Sequence, residues 1–262
     1  MDLASARHAF ITGGASGLGL GMADALAKRG VAVTIADIDA DAISAVLNTR
    51  GDRFHAIVLD VRDRAAWASA KAQAEATFGP VDILIANAGI SPNGSAFADM
   101  DPESLDRIVA INLGGVANAV FAFAADFRDR ASGHIVLTSS QAGLVTTVPG
   151  VGAYSVAKFG VTAMGEQLRR ELEPHGVGVS VLVPGYVQTN LGANTVKIGG
   201  EVRGSAGGAM PASDITAEAV GEMVLVGIEQ NSSHIITHKQ VLPGVEDRFA
   251  AIREACEYRL NS

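Results

Sequence analysis

The sequence predicts an α/β fold in which a doubly wound parallel sheet of seven strands forms one domain over residues 1–262. Two observations lead to this prediction. Short runs rich in apolar and β-branched residues alternate with alanine-rich segments of helical pattern, and a glycine string, TGGASGLGLG, directly follows the first run. Runs that are apolar almost throughout are typical of strands buried on both faces of a parallel sheet, and their alternation with helices indicates right-handed βαβ units.

Seven runs are predicted as strands, and with the glycine string they indicate a fold of the Rossmann type. They occupy residues 8–12, 31–37, 54–60, 81–87, 134–140, 178–185 and 234–237. No linker, repeat or low-complexity tract divides the chain, so one domain is expected.

Two segments depart from this alternation. Residues 190–213 are glycine-rich and long for a loop, which is typical of a lid over a substrate. Residues 245–260 predict an amphipathic C-terminal helix that carries Phe249, Ile252 and Cys256 on one face.

Composition narrows the class of protein. Hydrophobic residues make up 48% of the chain and charged residues 18%, enough apolar material for a large core. The net charge of −8 and the pI near 5.2 argue against a nucleic-acid or membrane partner. A single cysteine, Cys256, excludes an internal disulfide, and His234 and His238 lack nearby acidic ligands for a metal. With the first strand starting at His8 and no apolar run of membrane-spanning length, a cytoplasmic globular protein is expected.

The glycine string predicts a dinucleotide site. Gly13, Gly17 and Gly19 allow a tight turn that brings backbone N–H groups and a helix N-terminus against a pyrophosphate. Asp37 ends the second predicted strand, where its carboxylate could accept both ribose hydroxyls of adenosine.

Asp37 also indicates which nicotinamide cofactor is used. A carboxylate there repels a 2′-phosphate, and the two positions where a compensating cation is expected, Ser16 and Ile38, are uncharged. NAD is therefore expected rather than NADP.

Tyr154 and Lys158 stand four residues apart in a helical pattern, so both side chains leave one helix face. An ammonium beside a phenol lowers the pKa of the phenol, which suits a general acid or base. From these residues alone, a surface pair is the alternative.

Further motifs complete a recognisable series: LDV, NAG, the asparagine of VAINLGG, LTSSQAG, YSVAK and PGYVQT, in order between Thr12 and Thr189. The sequence resembles the short-chain dehydrogenase/reductase family. The resemblance implies a catalytic tetrad of Asn112, Ser140, Tyr154 and Lys158. In it Tyr154 moves the proton of the alcohol, Ser140 hydrogen-bonds the substrate oxygen, and Asn112 holds a water that connects Lys158 to solvent. Ser139 is the alternative to Ser140.

The resemblance also implies a set of cofactor-binding residues. Besides the tetrad pair Tyr154 and Lys158, these are Gly13, Ser16, Gly17, Leu18, Gly19, Asp37, Asp60, Val61, Asn87, Ala88, Gly89, Pro184, Gly185, Val187 and Thr189. Asp60 is expected to reach the adenine amino group, and Thr189 the carboxamide or a phosphate.

The substrate pocket implied by the resemblance is uncharged. Its residues are Ser140, Gln141, Val148, Tyr154 and Tyr186. A wall of this kind favours a neutral, partly apolar alcohol or ketone, although Lys197 and Arg203 in the lid segment could instead bind a carboxylate. The C-terminal tail is similar to that of members that oxidise bulky aryl or alicyclic secondary alcohols, including lignin-dimer Cα-dehydrogenases.

The expected activity is therefore NAD(H)-dependent interconversion of a secondary alcohol and a ketone with a bulky cyclic or aryl group. The alternatives are a biosynthetic ketoreductase that uses NADPH and a non-catalytic NAD(H)-sensing protein. A homodimer through the helices bearing Asn112 and Tyr154, or a homotetramer, is expected. The apolar residues Val116, Val120 and Phe123, with Phe127, are expected in the core or a subunit interface.

Overall fold

The computed structural model describes residues 1–146, 148–202 and 214–258. Within these ranges each of the predicted strands is present, shortened by up to two residues at either end. The strands are β1 His8–Thr12, β2 Ala32–Asp37, β3 Phe54–Val58, β4 Ile83–Ala86, β5 His134–Thr138, β6 Gly178–Val183 and β7 His234–Ile236.

Helices connect the strands and flank both faces of the sheet. They are α1 Gly17–Lys28, α2 Ala40–Arg50, α3 Ala66–Phe78, α4 Pro102–Val109, α5 Gly115–Asp129, α6 Gly152–Leu172, α7 Leu191–Lys197, α8 Ala217–Glu229 and α9 Leu242–Tyr258. A π-helical turn, Ala110–Gly114, joins α4 to α5.

The strands form one sheet in the order β3-β2-β1-β4-β5-β6-β7, and every neighbouring pair is parallel. The predicted Rossmann-type α/β fold is therefore confirmed. The chain leaves β1 toward β2 on one side and returns to β4 on the other, so a crevice opens between β1 and β4 at their carboxyl ends. Ligands of such sheets bind at this point.

The core lies on both faces of the sheet, and the apolar stripe of α5 belongs to it. Val116, Val120, Phe123 and Phe127 are between 0% and 7% exposed, and the Phe123 ring lies 5.1 Å from that of Phe10 on β1. Of the two predicted locations for this stripe, the core is confirmed.

The same helical stretch corrects one expectation from the sequence. Pro102–Asp129 spans 28 residues and is long and apolar enough to cross a membrane, so the expectation that no apolar run reaches that length is wrong. Half of its most apolar window is buried within the described protein. We therefore interpret this stretch as a core helix.

The two unusual segments differ from their predictions. Residues 191–197 of the predicted lid form helix α7, and residues 203–213, Arg203 among them, lie outside the described residues. The C-terminal helix begins at Leu242, earlier than predicted, and is described to Tyr258, so predicted positions 259 and 260 lie outside the described residues. None of the α9 side chains is buried.

A buried histidine at the start of β5 makes stability depend on pH. His134 is fully buried, and its Nε2 lies 2.9 Å from the Ser180 hydroxyl. That hydroxyl donates to the Ser232 carbonyl at 2.6 Å, so Nε2 is the donor. Nδ1 has no hydrogen-bond partner among the described residues. Burial lowers the pKa of His134 from 6.5 to about 3.

Acidification should therefore weaken the fold through this residue. In the unfolded chain His134 binds a proton near pH 6.5, whereas the folded protein resists it until about pH 3. The neutral His134 ring therefore contributes its full stabilisation to the folded protein above pH 6.5. As the pH falls, protonation of His134 in the unfolded chain lowers the free energy of unfolding, by about 2 kcal/mol between pH 7 and pH 5. The difference in the free energy of unfolding between pH 7 and pH 5, measured by urea unfolding, should be smaller in His134→Gln than in wild type. The same change at exposed His175 should leave the difference as in wild type, and equal differences in all three proteins would contradict the assignment.

Candidate active site

A cavity of about 580 Å³ occupies the crevice at the carboxyl ends of the strands. Residues from the β1–α1 loop, the ends of β2, β4 and β5, helix α6 and helix α7 line it. Of the residues predicted to bind cofactor, those that line the cavity are Gly13, Ser16, Gly17, Leu18, Asp37, Asp60, Val61, Asn87, Ala88, Gly89, Tyr154, Lys158, Pro184 and Thr189.

The glycine loop forms a cradle that side chains would fill. Gly13 and Gly17 have φ of +62° and +51°, which L side chains rarely adopt. A Cβ on Gly19 would lie 2.0 Å from the Gly13 carbonyl oxygen. Ser16, the N-cap of α1, makes no capping hydrogen bond with its side chain, so N–H groups at this helix N-terminus remain for an anion. The cradle fits the pyrophosphate of a dinucleotide.

Asp37 presents its carboxylate at the edge of this cradle. Oδ2 accepts from the Ala15 N–H at 3.1 Å and Oδ1 from the Asp39 N–H at 3.2 Å. A carboxylate has about four acceptor sites, so each oxygen can accept one further bond. The arrangement suits two ribose hydroxyls.

Lys197 places a cation near Asp37, although the two positions where the sequence suggested one, Ser16 and Ile38, are uncharged. The Lys197 Nζ is 3.2 Å from the Asp39 carboxylate, and Lys197, Asp37 and Asp39 line the same cavity. The Lys197 ammonium helps to lower the pKa of Asp39, after a hydrogen bond from the Ala42 N–H. Lys197 thus lies at the adenosine end, which does not support the alternative in which it binds a substrate carboxylate.

The Asp60 carboxylate already accepts several hydrogen bonds from Arg62, which the sequence did not predict. Arg62 donates to both carboxylate oxygens through its guanidinium, at 2.6 to 3.0 Å, and to Oδ1 through its N–H. The Arg62 hydrogen bond lowers the pKa of Asp60. A bond from Asp60 to an adenine amino group would therefore compete with Arg62. Beneath it, the Val61 carbonyl accepts from Trp67 and Asn118.

The end of β4 is tied to the end of β1. The Thr12 hydroxyl accepts from the N–H groups of Asn87 and Ala88, at 2.9 and 3.0 Å, and the Asn87 amide donates to the Thr12 carbonyl. A Cβ on Gly89 would lie 3.1 Å from Asn112 Oδ1 and 3.7 Å from Lys158 Nζ. The NAG turn therefore packs against two members of the predicted tetrad.

Asn112 lies in the π-helical turn and is fully buried. Its Oδ1 accepts from the Ile90 N–H at 2.7 Å, and its Nδ2 donates to the Ile90 carbonyl at 2.9 Å. Both ends of the side chain are therefore used in positioning the loop after β4. π turns inside α-helices are frequent at functional sites.

Lys158 is held at the base of the site. It is 3% exposed, and its Nζ donates to the Thr138 carbonyl at 2.8 Å. Nζ lies 5.5 Å from the centre of the Tyr154 ring. Burial lowers the pKa of Lys158 to about 8.

Tyr154 departs from the expected effect of Lys158. Burial raises the pKa of its phenol, and a hydrogen bond with Ser140 only partly opposes this. The spacing brings the ammonium to the tyrosine ring, but desolvation of the phenolate has the larger effect. At neutral pH the structure therefore holds Tyr154 as a protonated phenol.

Ser139 and Ser140 have different surroundings. Ser139 is 1% exposed, and its hydroxyl donates to the Lys158 carbonyl at 2.9 Å and lies 2.8 Å from the Thr162 hydroxyl. The Ser140 hydroxyl instead pairs with Tyr154 and accepts from the Ala142 N–H. Ser139 rather than Ser140 lines the cavity. The Ser139 hydroxyl is used within the fold, however, and the pairing with Tyr154 favours Ser140 as the residue that meets a substrate oxygen.

The residues predicted for the substrate pocket are not all brought into the cavity. Tyr154 lines it, whereas Ser140, Gln141, Val148 and Tyr186 do not. The Gln141 amide donates to the His238 carbonyl at 3.2 Å, while Val148 and Tyr186 are 55% and 38% exposed. Val148 and Tyr186 therefore lie at the protein surface rather than in the cavity wall.

The segment after β6 is held by residues that the sequence did not single out for this role. The Gly185 N–H donates to the Thr237 hydroxyl and to His238 Nδ1. Val187 is buried in the core, and neither it nor Gly185 or Gly19 lines the cavity. Among the described residues no cluster of three metal-ligating side chains occurs.

Helix α7 bridges the cavity, which sequence reasoning missed. Asn194 donates to the Ser16 hydroxyl at 3.0 Å on the glycine-loop side. The Thr195 hydroxyl accepts from the Ser91 N–H at 3.0 Å on the β4 side. The glycine content of this segment suggested a loop, and no local pattern in it indicates these partners, since they lie more than 100 residues away in the chain.

Comparisons with known proteins agree with this geometry. The family model described as short chain dehydrogenase matches residues 7–197. The Cα-dehydrogenase of Sphingobium sp. strain SYK-6 is 34% identical over 260 residues, which cover 93% of this chain and 84% of that protein. The oxidoreductase UcpA of Salmonella typhimurium is 35% identical over 193 residues, 73% of each chain. A solved short chain dehydrogenase/reductase from Burkholderia phymatum, in complex with NAD, has a TM-score of 0.87 and 27% identity and covers 97% of both chains.

Proposed function

Because the chain belongs to the short-chain dehydrogenase family, we propose that it interconverts a secondary alcohol and a ketone with NAD(H). The observation that carries this proposal is the placement of Tyr154 on the wall of the cavity that the dinucleotide cradle forms, with Lys158 Nζ 5.5 Å from the centre of its ring. The Tyr154 phenol, which can both donate and accept a proton, would thus lie beside the bound cofactor.

The proposed cofactor is NAD. The cations that line the adenosine end of the cavity are each paired with a carboxylate other than that of Asp37, Lys197 with Asp39, Arg62 with Asp60 and Arg50 with Asp24. The Asp37 carboxylate therefore still disfavours a 2′-phosphate. The relative from B. phymatum, solved in complex with NAD, supports the same choice. When bound, the nicotinamide ring supplies or accepts the hydride.

The residues of the chain handle the proton. As a phenol, Tyr154 can donate its proton to the oxygen of a ketone; in oxidation its phenolate takes the proton of the alcohol. The Ser140 hydroxyl hydrogen-bonds the same substrate oxygen and stabilises the charge that develops on it. Lys158, anchored to the Thr138 carbonyl, holds the cofactor ribose.

Asn112 acts mainly through position. Since both polar atoms of its side chain are bonded to Ile90, its main-chain carbonyl is the group left to hold a water between Lys158 and solvent. The π-helical turn around Asn112 would serve this role, because it loosens the regular pattern of carbonyl acceptors along the helix.

Cofactor preference can be tested at Asp37 and Ile38. Wild type should use NAD at least about tenfold more efficiently than NADP, since the lost contact and the charge repulsion together exceed ~1.4 kcal/mol. The double variant Asp37→Ser, Ile38→Arg should narrow or invert this ratio, measured as kcat/KM with each cofactor. As a control, Ile236→Arg changes a similarly exposed isoleucine on β7 and should keep the wild-type ratio. Equal use of both cofactors by wild type would exclude the proposed role of Asp37.

The proposed substrate is a neutral, ring-bearing secondary alcohol. Val148 and Tyr186, two of the residues predicted for the substrate pocket, are exposed and uncharged. Lys197, which could have bound a carboxylate, is paired with Asp39. The resemblance of the C-terminal tail to members that oxidise bulky aryl or alicyclic alcohols supports a bulky substrate, and a Cα-dehydrogenase aligns along most of the chain.

A panel of alcohols with NAD tests this substrate class. Cyclic and aryl secondary alcohols should exceed 2-propanol in kcat/KM by at least about 100-fold, because burying a ring contributes about 25 cal/mol per Å² of apolar surface. Hydroxy acids of similar size should give no advantage over their neutral analogues. If the hydroxy acids are preferred, and Lys197→Ala removes that preference while Lys28→Ala does not, Lys197 is the recognition element and the proposed substrate class is wrong.

A further inference from the structure

The C-terminal helix α9 lies outside the core of the subunit. It runs for 17 residues, and none of its side chains is buried. Leu242, Phe249 and Ile252 are 55%, 54% and 46% exposed. Its contact with α6 includes the Arg248 guanidinium, 5.0 Å from the centre of the Phe159 ring. Most helical stability in proteins comes from packing an apolar face, and α9 buries none of its side chains in its own subunit.

The apolar residues of α9 follow a heptad pattern. Leu242, Val245, Phe249, Ile252 and Cys256 are separated by three, four, three and four positions. This spacing places them along one stripe, in the a and d positions of a helix that packs against another helix. The stripe therefore has the spacing of a seam between two helices.

The charges beside the seam select the partner. With Phe249 at an a position, Glu246 and Arg253 both occupy e positions, and Arg248 occupies g. A second parallel copy of α9 would place Arg248 opposite Arg253. An antiparallel copy instead brings together the e positions of the two helices, so that Glu246 of each meets Arg253 of the other. Neither Glu246 nor Arg253 makes an ion pair within the described residues.

We propose that α9 pairs with α9 of a second copy of this chain, antiparallel and about a two-fold axis. The seam would be closed by Phe249 against Ile252 and by Val245 against Cys256, each across the axis. A lipid surface fits less well, since the polar side of α9 carries Glu246, Asp247, Glu254 and Glu257 against two arginines, and anionic membranes repel such a face. The pairing does not depend on the proposed reaction.

The single cysteine makes the orientation measurable. In the antiparallel pair the two Cys256 thiols are separated by eleven residues of helix, about 16 Å at 1.5 Å per residue. A disulfide needs Cα atoms within about 7 Å. Wild type should therefore form no cross-link on mild oxidation. In V245C the introduced thiol faces Cys256 of the second copy, and a covalent dimer should dominate on a non-reducing gel.

Two results of this experiment would overturn the proposal. A cross-link in wild type would mean a parallel pair, and no cross-link in V245C would mean that something other than α9 of a second copy covers the seam. E254C serves as the matched control, because position 254 lies on the outer side of the helix, away from the seam, and should not cross-link.

Charge-reversal variants test the proposed ion pairs between Glu246 and Arg253 independently of any other contact between subunits. In the V245C background, E246R and R253E should each reduce the cross-link yield several-fold, because each places like charges opposite one another. An equimolar mixture of the two variants should restore the yield, since every pair is then of opposite sign. Unchanged yields in the single variants, or no recovery in the mixture, would overturn the antiparallel assignment. NADH binding by each variant confirms that it is folded, and it separates this outcome from any failure of the proposed dehydrogenase activity.

Discussion

Replacing Tyr154 with phenylalanine should lower kcat by at least about 100-fold, the usual contribution of a general acid or base. The ring still packs against the same neighbours, and only the hydroxyl that moves the proton and pairs with Ser140 is lost. NADH binding should change by less than about twofold, because the phenol contributes little to the affinity for the dinucleotide.

Steady-state kinetics and fluorescence titration with NADH together test this prediction. Tyr258→Phe makes the same change at a residue that is 78% exposed, and it should leave both quantities at the wild-type level. If Tyr154→Phe kept more than half of the wild-type kcat, another group would have to supply the proton.

Gly19→Ala should weaken cofactor binding strongly even though Gly19 does not itself line the cavity. Its Cβ would lie 2.0 Å from the Gly13 carbonyl oxygen and 2.8 Å from Asn87 Nδ2. The first of these is backbone, so the loop itself must shift, and with it the N–H groups that we propose bind the pyrophosphate. We expect the dissociation constant for NADH to rise by more than about tenfold, which corresponds to a loss above ~1.4 kcal/mol.

A matched control lies on the other side of the cavity. Gly192 is on α7, and a Cβ added to it would meet no atom within 4 Å, so Gly192→Ala should bind NADH as wild type does. Circular dichroism should show both variants folded. Wild-type NADH affinity in Gly19→Ala would mean that the glycine loop is not the cofactor cradle.

Much of this architecture follows from local patterns in the sequence. The strands are apolar on both faces because the sheet is covered on both sides, and this gives each run a clear signal. Asp37 could be assigned because it ends a strand directly after the glycine string. Its position depends only on the connection from β1 through α1 to β2, which the order of elements already defines.

Other features depend on contacts between distant parts of the chain. Lys197 reaches Asp39 across 158 residues, and nothing in its own segment indicates this partner. The ionisation of Tyr154 is a similar case. The spacing to Lys158 correctly places the two side chains together, but the pKa of the phenol is decided by how deeply it is buried, which the spacing cannot report.

The C-terminal helix likewise has one feature that the local sequence predicts and one that depends on distant contacts. Its apolar stripe is visible in the sequence, because amphipathic spacing is a local property. Whether that stripe packs on the subunit itself depends on the path of the chain after β7. In the structure α9 leaves its stripe exposed.

The central claim is that this protein oxidises a secondary alcohol with NAD, and one reaction tests it most directly. Purified wild-type protein is incubated with NAD and 1-phenylethanol, and NADH and the ketone are both quantified. We predict that the two products form in equal amounts through many turnovers, at least about tenfold faster than with NADP. Tight NAD binding with neither product, for this alcohol and for cyclohexanol, would contradict the claim and favour a nucleotide-sensing protein.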